Sequence, residues 1–453
     1  MTPHLPPPGR PTRRSLLKGG LALGGLGLAG ATAGCGSPLA AGIAGTQLAP
    51  GTVTFWNLFG GGDGARLQLM LDEYARQNGG PDSLQSATFA WGNPYYTKVS
   101  LATLGDKPPD VAVAHLTRAQ NLARAGLLTE ITDEMLALVD LTPEDFTPKV
   151  WDAGKLGERA YAVPLDTHPF VLFYNKGVCE QAGLLDGDGK LKPIRGTEQW
   201  EAALTAAKEV TGAYGASVAT VSETATPWRL FQSLYSQRSG NTPFLSGGGT
   251  ELTFDEPLVA DTLAYLQSLT AKGLMPTTTD YAGSQTLMFT GQAAFYMQGE
   301  WEITTAQSVP DLEFGMVPIP QLYDSPACQA DSHAFILPRM ERDEDQLRRA
   351  MGFVRSMLDQ GMTWAEGGHV PAYLPTLQDP AYAALEPQSD YAPAADYAVY
   401  DAPAWYSGSG SNFETIVGAQ IGLVLQGSAS PEEAIASMRS QLQTYAETAD
   451  PLS

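Results

Sequence analysis

The sequence predicts an α/β fold built from right-handed parallel strand–helix units, and three observations carry that expectation. Strand-like and helix-like segments alternate from residue 52 to residue 127. The composition, 43% hydrophobic and 17% charged, belongs to a chain that buries a core. At a soft prior of about 150 residues per domain, 453 residues call for two domains or one large split fold. The 27 basic against 49 acidic residues leave a net charge of -22. A surface of that sign repels phosphate backbones and acidic headgroups, so neither nucleic acid nor a polybasic membrane contact is expected.

The first element is an export signal at residues 1–34. This stretch holds Arg10, Arg13, Arg14 and Lys18 and no acid. TRRSLLK (Thr12 to Lys18) is followed by an uncharged, glycine-rich run from Gly19 to Gly34, shorter than the roughly 20 residues a membrane-crossing helix needs. The paired arginines resemble the twin-arginine signal, which sends folded proteins across a membrane. Thr32, Ala33 and Gly34 before Cys35 resemble a lipobox, with Cys35 as the lipidated residue. The alternative is a plain cleavage site with an incidental cysteine. Residues 35–50, small and uncharged, suit a flexible tether. Cys179 and Cys328 remain; with nothing local to force pairing, two buried thiols are expected over a disulfide.

The folded part opens with a strand in TVTFWNLF (Thr52 to Phe59), β-branched and aromatic and stopped by Gly60, Gly61 and Gly62. An amphipathic helix follows, with Leu67, Met70, Leu71 and Tyr74 at i, i+3, i+4 and i+7. A second strand is expected in SATFAW (Ser86 to Trp91), and a third in DVAVA (Asp110 to Ala114) after Pro108 and Pro109. Ligands of such sheets bind beyond the carboxyl ends of the strands. Those loops hold Asn57, Phe59 and Asp63, then Trp91 and Asn93, then His115, Thr117 and Arg118. Aromatic faces beside hydrogen-bonding tips are what a sugar needs, with its apolar C–H face and its rim of hydroxyls. Asp63 serves equally well as a cap of the first helix.

RAYAVPLDTHPFVLFYNKGVCEQAGLL (Arg159 to Leu185) sets Asp166 and His168 where two strands meet. This segment, GQAAFYMQGEWEI (Gly291 to Ile303), FGMVPIP, EGGHVPAYLP and LQGSASPEEAIASMRSQL together resemble, in order, segments of bacterial extracellular solute-binding proteins of the maltose-binding type. The resemblance implies a two-lobed periplasmic-binding-protein fold of type II, each lobe an α/β sheet discontinuous in sequence, with a hinge between. The first lobe would take 51–131 plus 329–367, the second 132–328 plus 368–453. It implies the solute-binding part of an ABC importer, a monomer that delivers a carbohydrate to permease subunits and meets the membrane only through its lipid anchor. Trp301 matches the aromatic that stacks on the sugar, with Glu300 beside it, and Asp166 an acid that accepts from hydroxyls. Arg118 falls where an Asp-Arg pair binds sugar, although Thr117 replaces the Asp. Trp228, His369, Tyr373, Trp405 and Tyr406 lie in segments that contribute contacts, the last two near a Gly/Ser run at Ser407 to Ser411. His168 completes the expected ligand set.

No GxSxG, HExxH, P-loop or strand-borne GxGxxG is present, so no enzyme and no cofactor is expected. No metal is expected either: there is no CxxC or local Cys/His cluster, and Asp186–Gly189 imitates only the start of a calcium loop. The alternatives are a secreted glycoside hydrolase, since 49 acids offer many carboxylate pairs, and a same-fold binder of a glycerol phosphoester or a polyamine. If the head works as read, Cys35→Ala releases the protein from the membrane fraction and Lys at positions 13 and 14 blocks export. Fractionation of cells tests both, and a Cys35→Ala protein that still sediments with membranes contradicts the lipid anchor.

Overall fold

The computed structural model describes residues 49–451; the export signal, Cys35 and nearly all of the tether lie outside them. The principal elements, in chain order, begin with β1 (Val53–Asn57), α1 (Gly62–Gln77), β2 (Leu84–Thr88), α2 (Asn93–Leu104), β3 (Val111–His115) and α3 (Leu116–Arg124). Then come β4 (Val163–Pro164), the long β5 (Asp166–Asn175), α4 (Ala225–Tyr235), β6 (Phe295–Gly299) and β7 (Phe314–Pro318). Last are β8 (Cys328–Asp331), β9 (His333–Ile336), β10 (Val370–Pro371), α5 (Asn412–Leu425) and α6 (Pro431–Ala446).

The first sheet has the order β2-β1-β3-β9-β4. The β1 strand lies parallel to both β2 and β3, as the alternation of strand and helix predicts. Its Val53, Phe55 and Asn57 point inward and Thr54 and Trp56 are half-buried, the period-2 pattern of a strand. The α1 stripe of Leu67, Met70, Leu71 and Tyr74 is buried as predicted. The β2 strand runs over Leu84–Thr88, ahead of the expected Ser86–Trp91, because pairing with β1 starts at Val53 opposite Leu84 and ends at Asn57 opposite Thr88. After a last bond from the Phe89 N–H to the Asn57 carbonyl, Ala90 and Trp91 leave the ladder.

The second sheet is organised by β5, which pairs antiparallel with β10 at Asp166 and Thr167, with β8 at His168 and Pro169, and with β6 and β7 over the rest of its length. Each sheet has its own core. Phe55, Val113, Phe335 and Phe353 pack in the first. Leu172, Trp228, Phe231 and Phe295 pack in the second, with the apolar faces of α5 and α6. A capping box at Ser430 and Glu433 starts α6.

The chain passes between the sheets at Leu165, from β4 to β5, at Ser332, from β8 to β9, and again between β9 and β10. Residues 132–165, which the sequence reading sets in the second lobe, bury Met135, Leu136, Phe146, Trp151 and Val163 in the core of the first sheet. Residues 329–331, read as first lobe, belong to β8 and the second sheet. The two cysteines are buried and unpaired, and burial pushes each thiol up to about 12. Among the described residues no helix is long and apolar enough to cross a membrane.

The tightest seam in the second core is between α5 and the start of α4. A Cβ on Gly418 would fall 1.8 Å from the carbonyl oxygen of Thr224. Gly418→Ala is therefore expected to cost about 1–3 kcal/mol of folding free energy through overpacking. Gly187→Ala, where a Cβ meets nothing within 4 Å, leaves stability unchanged. Denaturant unfolding of the two variants checks the pair.

Candidate functional site

Between the two sheets lies a cavity of about 440 Å³. The first sheet supplies its loops beyond β1, β2 and β3 and the start of β9: Leu58, Asp63, Phe89, Trp91, His115 and His333. The second supplies His168 from β5, Glu223 and Arg229 around α4, and Tyr281, Trp301 and Glu302. Of the sequence-predicted residues, Asp63, Trp91, His115, His168 and Trp301 thus come together around one cavity.

Two tryptophans face each other's surroundings across Arg229. Its guanidinium lies 4.9 Å over the Trp301 ring and 5.8 Å over the Trp91 ring, which is 40% exposed. The Trp301 Nε1–H donates to the Tyr281 hydroxyl at 3.0 Å, and that hydroxyl donates in turn to Glu302. Gln285 also donates to Glu302, so this acid orients the Trp301 side of the cavity. Glu223 accepts from the Thr226 N–H at 2.6 Å and satisfies a free donor at the start of α4. Burial raises the Asp63 carboxyl to about 6, against the opposing pull of His333. Gly61, not Asp63, is the N-cap of α1; Asp63 sits in its first turn and accepts from the Gly64 N–H.

Behind the cavity wall stands Asp166, fully buried. Its Oδ1 accepts from His168 Nδ1 at 3.1 Å and from the His333 N–H at 2.8 Å. Its Oδ2 accepts from His333 Nδ1 at 2.9 Å and Trp364 Nε1 at 2.7 Å. Burial pushes this carboxyl up, but His333, His369 and the histidine hydrogen bonds outweigh it and hold the group well below the usual carboxylate range. The His115 ring meets the Tyr96 hydroxyl at 2.7 Å through Nδ1. Burial keeps the His115 and His168 imidazoles below their ordinary pKa, hence neutral.

The remaining expected residues lie off the cavity. Asn57 is buried in β1, where its side-chain carbonyl accepts from the Phe59 N–H and Thr88. Phe59 packs edge-on against His333 and Trp364. Arg118 covers the Tyr96 ring and donates to Asn93 and to the Ser409 carbonyl. Trp228 is core, its Nε1–H donating to Asp401 at 2.9 Å. Glu300 and His369 are buried 3.9 Å apart without hydrogen-bond partners, and burial drives the first carboxyl well up and the second imidazole well down. Tyr373 packs on Phe146, and Trp405 on Tyr406 and Tyr445. The Ser407–Ser411 run approaches the first-sheet loops rather than the cavity. A Cβ on Gly410 would stand 2.4 Å from the Gly92 Cα, and one on Gly408 2.8 Å from Thr117 Oγ1. Thr117 itself donates to Asp331, which also accepts from Ser409.

Arg229, Glu223, Tyr281, Glu302 and His333 escape the sequence reading. A signal exists for one of them: every residue of α4 is buried, and an arginine in such a helix must aim at something polar.

A search of curated proteins gives no match. Among solved structures, the chain resembles the GacH receptor of Streptomyces glaucescens GLA.O, a structure reported also with acarbose, at 20% identity and a TM-score of 0.72 over 87% of this chain and 98% of that one. It resembles the ABC substrate-binding protein Lmo0181 from Listeria monocytogenes, in complex with cycloalternan, at 20% identity and a TM-score of 0.71 over 87% and 98%. UgpB from Mycobacterium tuberculosis, in complex with glycerophosphocholine, has 17% identity and a TM-score of 0.70 over the same shares. These likenesses establish the two-lobed fold of periplasmic binding proteins. With the family model matching residues 62–437, the chain belongs to the bacterial extracellular solute-binding proteins.

Proposed function

We propose that the protein is the solute-capturing component of an ABC importer, taking a sugar or oligosaccharide into the cavity between its lobes and passing it to membrane permease subunits. The observation that carries this reading is the pair of tryptophans brought from separate sheets to one cavity, with Asp63, Glu223 and Arg229 around them. Aromatic faces suit the apolar side of a pyranose, and ionised groups suit its hydroxyls. The solutes in the first two structural neighbours, acarbose and cycloalternan, support a carbohydrate over the glycerophosphocholine of the third. In this reading Trp91, Trp301, Asp63, Arg229, His115 and His168 contact the solute, and the hinge crosses the chain at Leu165, at Ser332 and between β9 and β10. The protein acts by binding, without turning its solute over. It is exported through its twin-arginine signal and held by a lipid on Cys35 as a monomer at the outer face of the cytoplasmic membrane.

Isothermal calorimetry against a panel of oligosaccharides tests the site. Trp301→Ala is expected to weaken binding by about 2 kcal/mol, roughly thirtyfold, with melting unchanged. Asp166→Ala behaves differently: it leaves the donors of His168, His333 and Trp364 unpaired, at about 1–3 kcal/mol each, so melting falls along with affinity. A Trp301→Ala protein that binds within twofold of the parent contradicts the assignment, and released reducing ends contradict a pure binder.

Asp63 adds a pH dependence. With its carboxyl at about 6, it gains charge as pH rises through that value, and a carboxylate accepts hydroxyl protons better than a carboxylic acid does. Affinity is therefore expected to rise as pH passes from about one unit below 6 to about one unit above it. Calorimetry of Asp63→Asn over the same range should give a flatter profile.

A further inference from the structure

Four of the five histidines in the sequence meet around Asp166, although they are spread from residue 115 to residue 369. His115 and His333 are direct cross-strand partners on β3 and β9. His168 stacks on His333 with ring centres 4.1 Å apart, and lies 5.4 Å from His115. The nitrogens that His115, His168 and His333 offer lie within 4.8 Å of one another, and all three side chains line the solute cavity.

The hydrogen bonds fix which nitrogen faces inward. An ionised carboxylate only accepts, so the contacts of Asp166 with Nδ1 of His168 and of His333 require the proton at Nδ1. In a neutral ring the lone pair then sits on Nε2. The Nδ1 of His115 lies against the Tyr96 hydroxyl, which also accepts from the His115 backbone N–H; ligation through Nε2 requires the His115 ring proton to sit on Nδ1. Among the described residues no hydrogen bond uses Nε2 of these three rings. Carboxylate–histidine pairs of this kind orient metal ligands and raise their basicity. The three rings stand close enough together to share one cation.

We propose that His115, His168 and His333 form a three-histidine site for a divalent transition metal ion of the zinc, nickel or copper class, ligated through Nε2 at the cavity wall. Asp166 and Tyr96 orient the rings from behind, and the remaining coordination position opens to the cavity. An all-imidazole set favours these ions over magnesium or calcium, which take oxygen ligands. The site rests on the histidine geometry alone and holds whichever solute the cavity takes.

Calorimetry of the full chain with zinc chloride, and X-ray absorption of the zinc-loaded protein, test this. One zinc per chain and an absorption spectrum with three imidazole ligands are expected. His168→Ala and His333→Ala should each weaken zinc binding at least a hundredfold, and Asp166→Asn about ten- to a hundredfold. No zinc uptake by the wild-type chain, or a loaded ion with fewer than three imidazoles, overturns the proposal. These two measurements need no variant to fold. Sugar binding without zinc binding would overturn the metal site and leave the solute reading standing.

Discussion

The cavity wall depends on one buried charge. Asp166 sits at the first residue of β5, just past the point where the chain leaves the first sheet, and its carboxylate has no solvent to stabilise it. An isolated buried ion costs several kcal/mol, so its survival requires donors aimed at both oxygens. Those donors come from β5, from β9 and from the helix carrying Trp364, and by meeting at Asp166 they fix the orientation of two cavity histidines. Trp364 in turn stacks on His369, with ring centres 4.1 Å apart and planes 21° from parallel. The same carboxylate therefore ties the two sheets together where the chain crosses and sets the shape of the site.

Arg229 plays the complementary part on the open side of the cavity. It is the one cation of a fully buried helix, and Glu414 of α5 stands 3.9 Å behind it. Burial raises the Glu414 carboxyl to about 8, with Arg229 opposing the shift. The guanidinium projects instead toward Trp91 and Trp301, aromatic rings from the two different sheets. A solute entering there meets a preformed arrangement of ring faces and a desolvated cation. Away from the cavity, Ser409, Thr117, Asp331 and Arg118 join the Gly/Ser run to the loop after β3, so the two halves are already in polar contact there.

Much of the fold is legible in the sequence because its signals are local. The stripe of α1 and the alternation of β1 follow from periodicity, and the capping box of α6 from two residues three apart. Strand ends are less legible: β2 stops at Thr88 because its neighbour β1 ends, a fact no residue of β2 encodes. The same holds for the site. Asp63, Trp91, His115, His168 and Trp301 stand at or near strand ends that a strand–helix pattern or a family resemblance locates. Trp228 was the conspicuous residue of α4, yet it packs in the core, and its neighbour Arg229, a third of a turn around the helix, reaches the cavity. Nor does the sequence reveal the histidine cluster, since His333 finds His115 only through the register of β9 against β3.

The central claim is that one solute is held between two halves that share few covalent crossings. A ligand that touches both halves shifts them toward the closed arrangement by its differential affinity. Small-angle X-ray scattering, with and without a saturating oligosaccharide identified by calorimetry, measures this most directly. The account predicts a smaller radius of gyration in the complex. Superimposable curves from a protein that calorimetry shows to be saturated would contradict it.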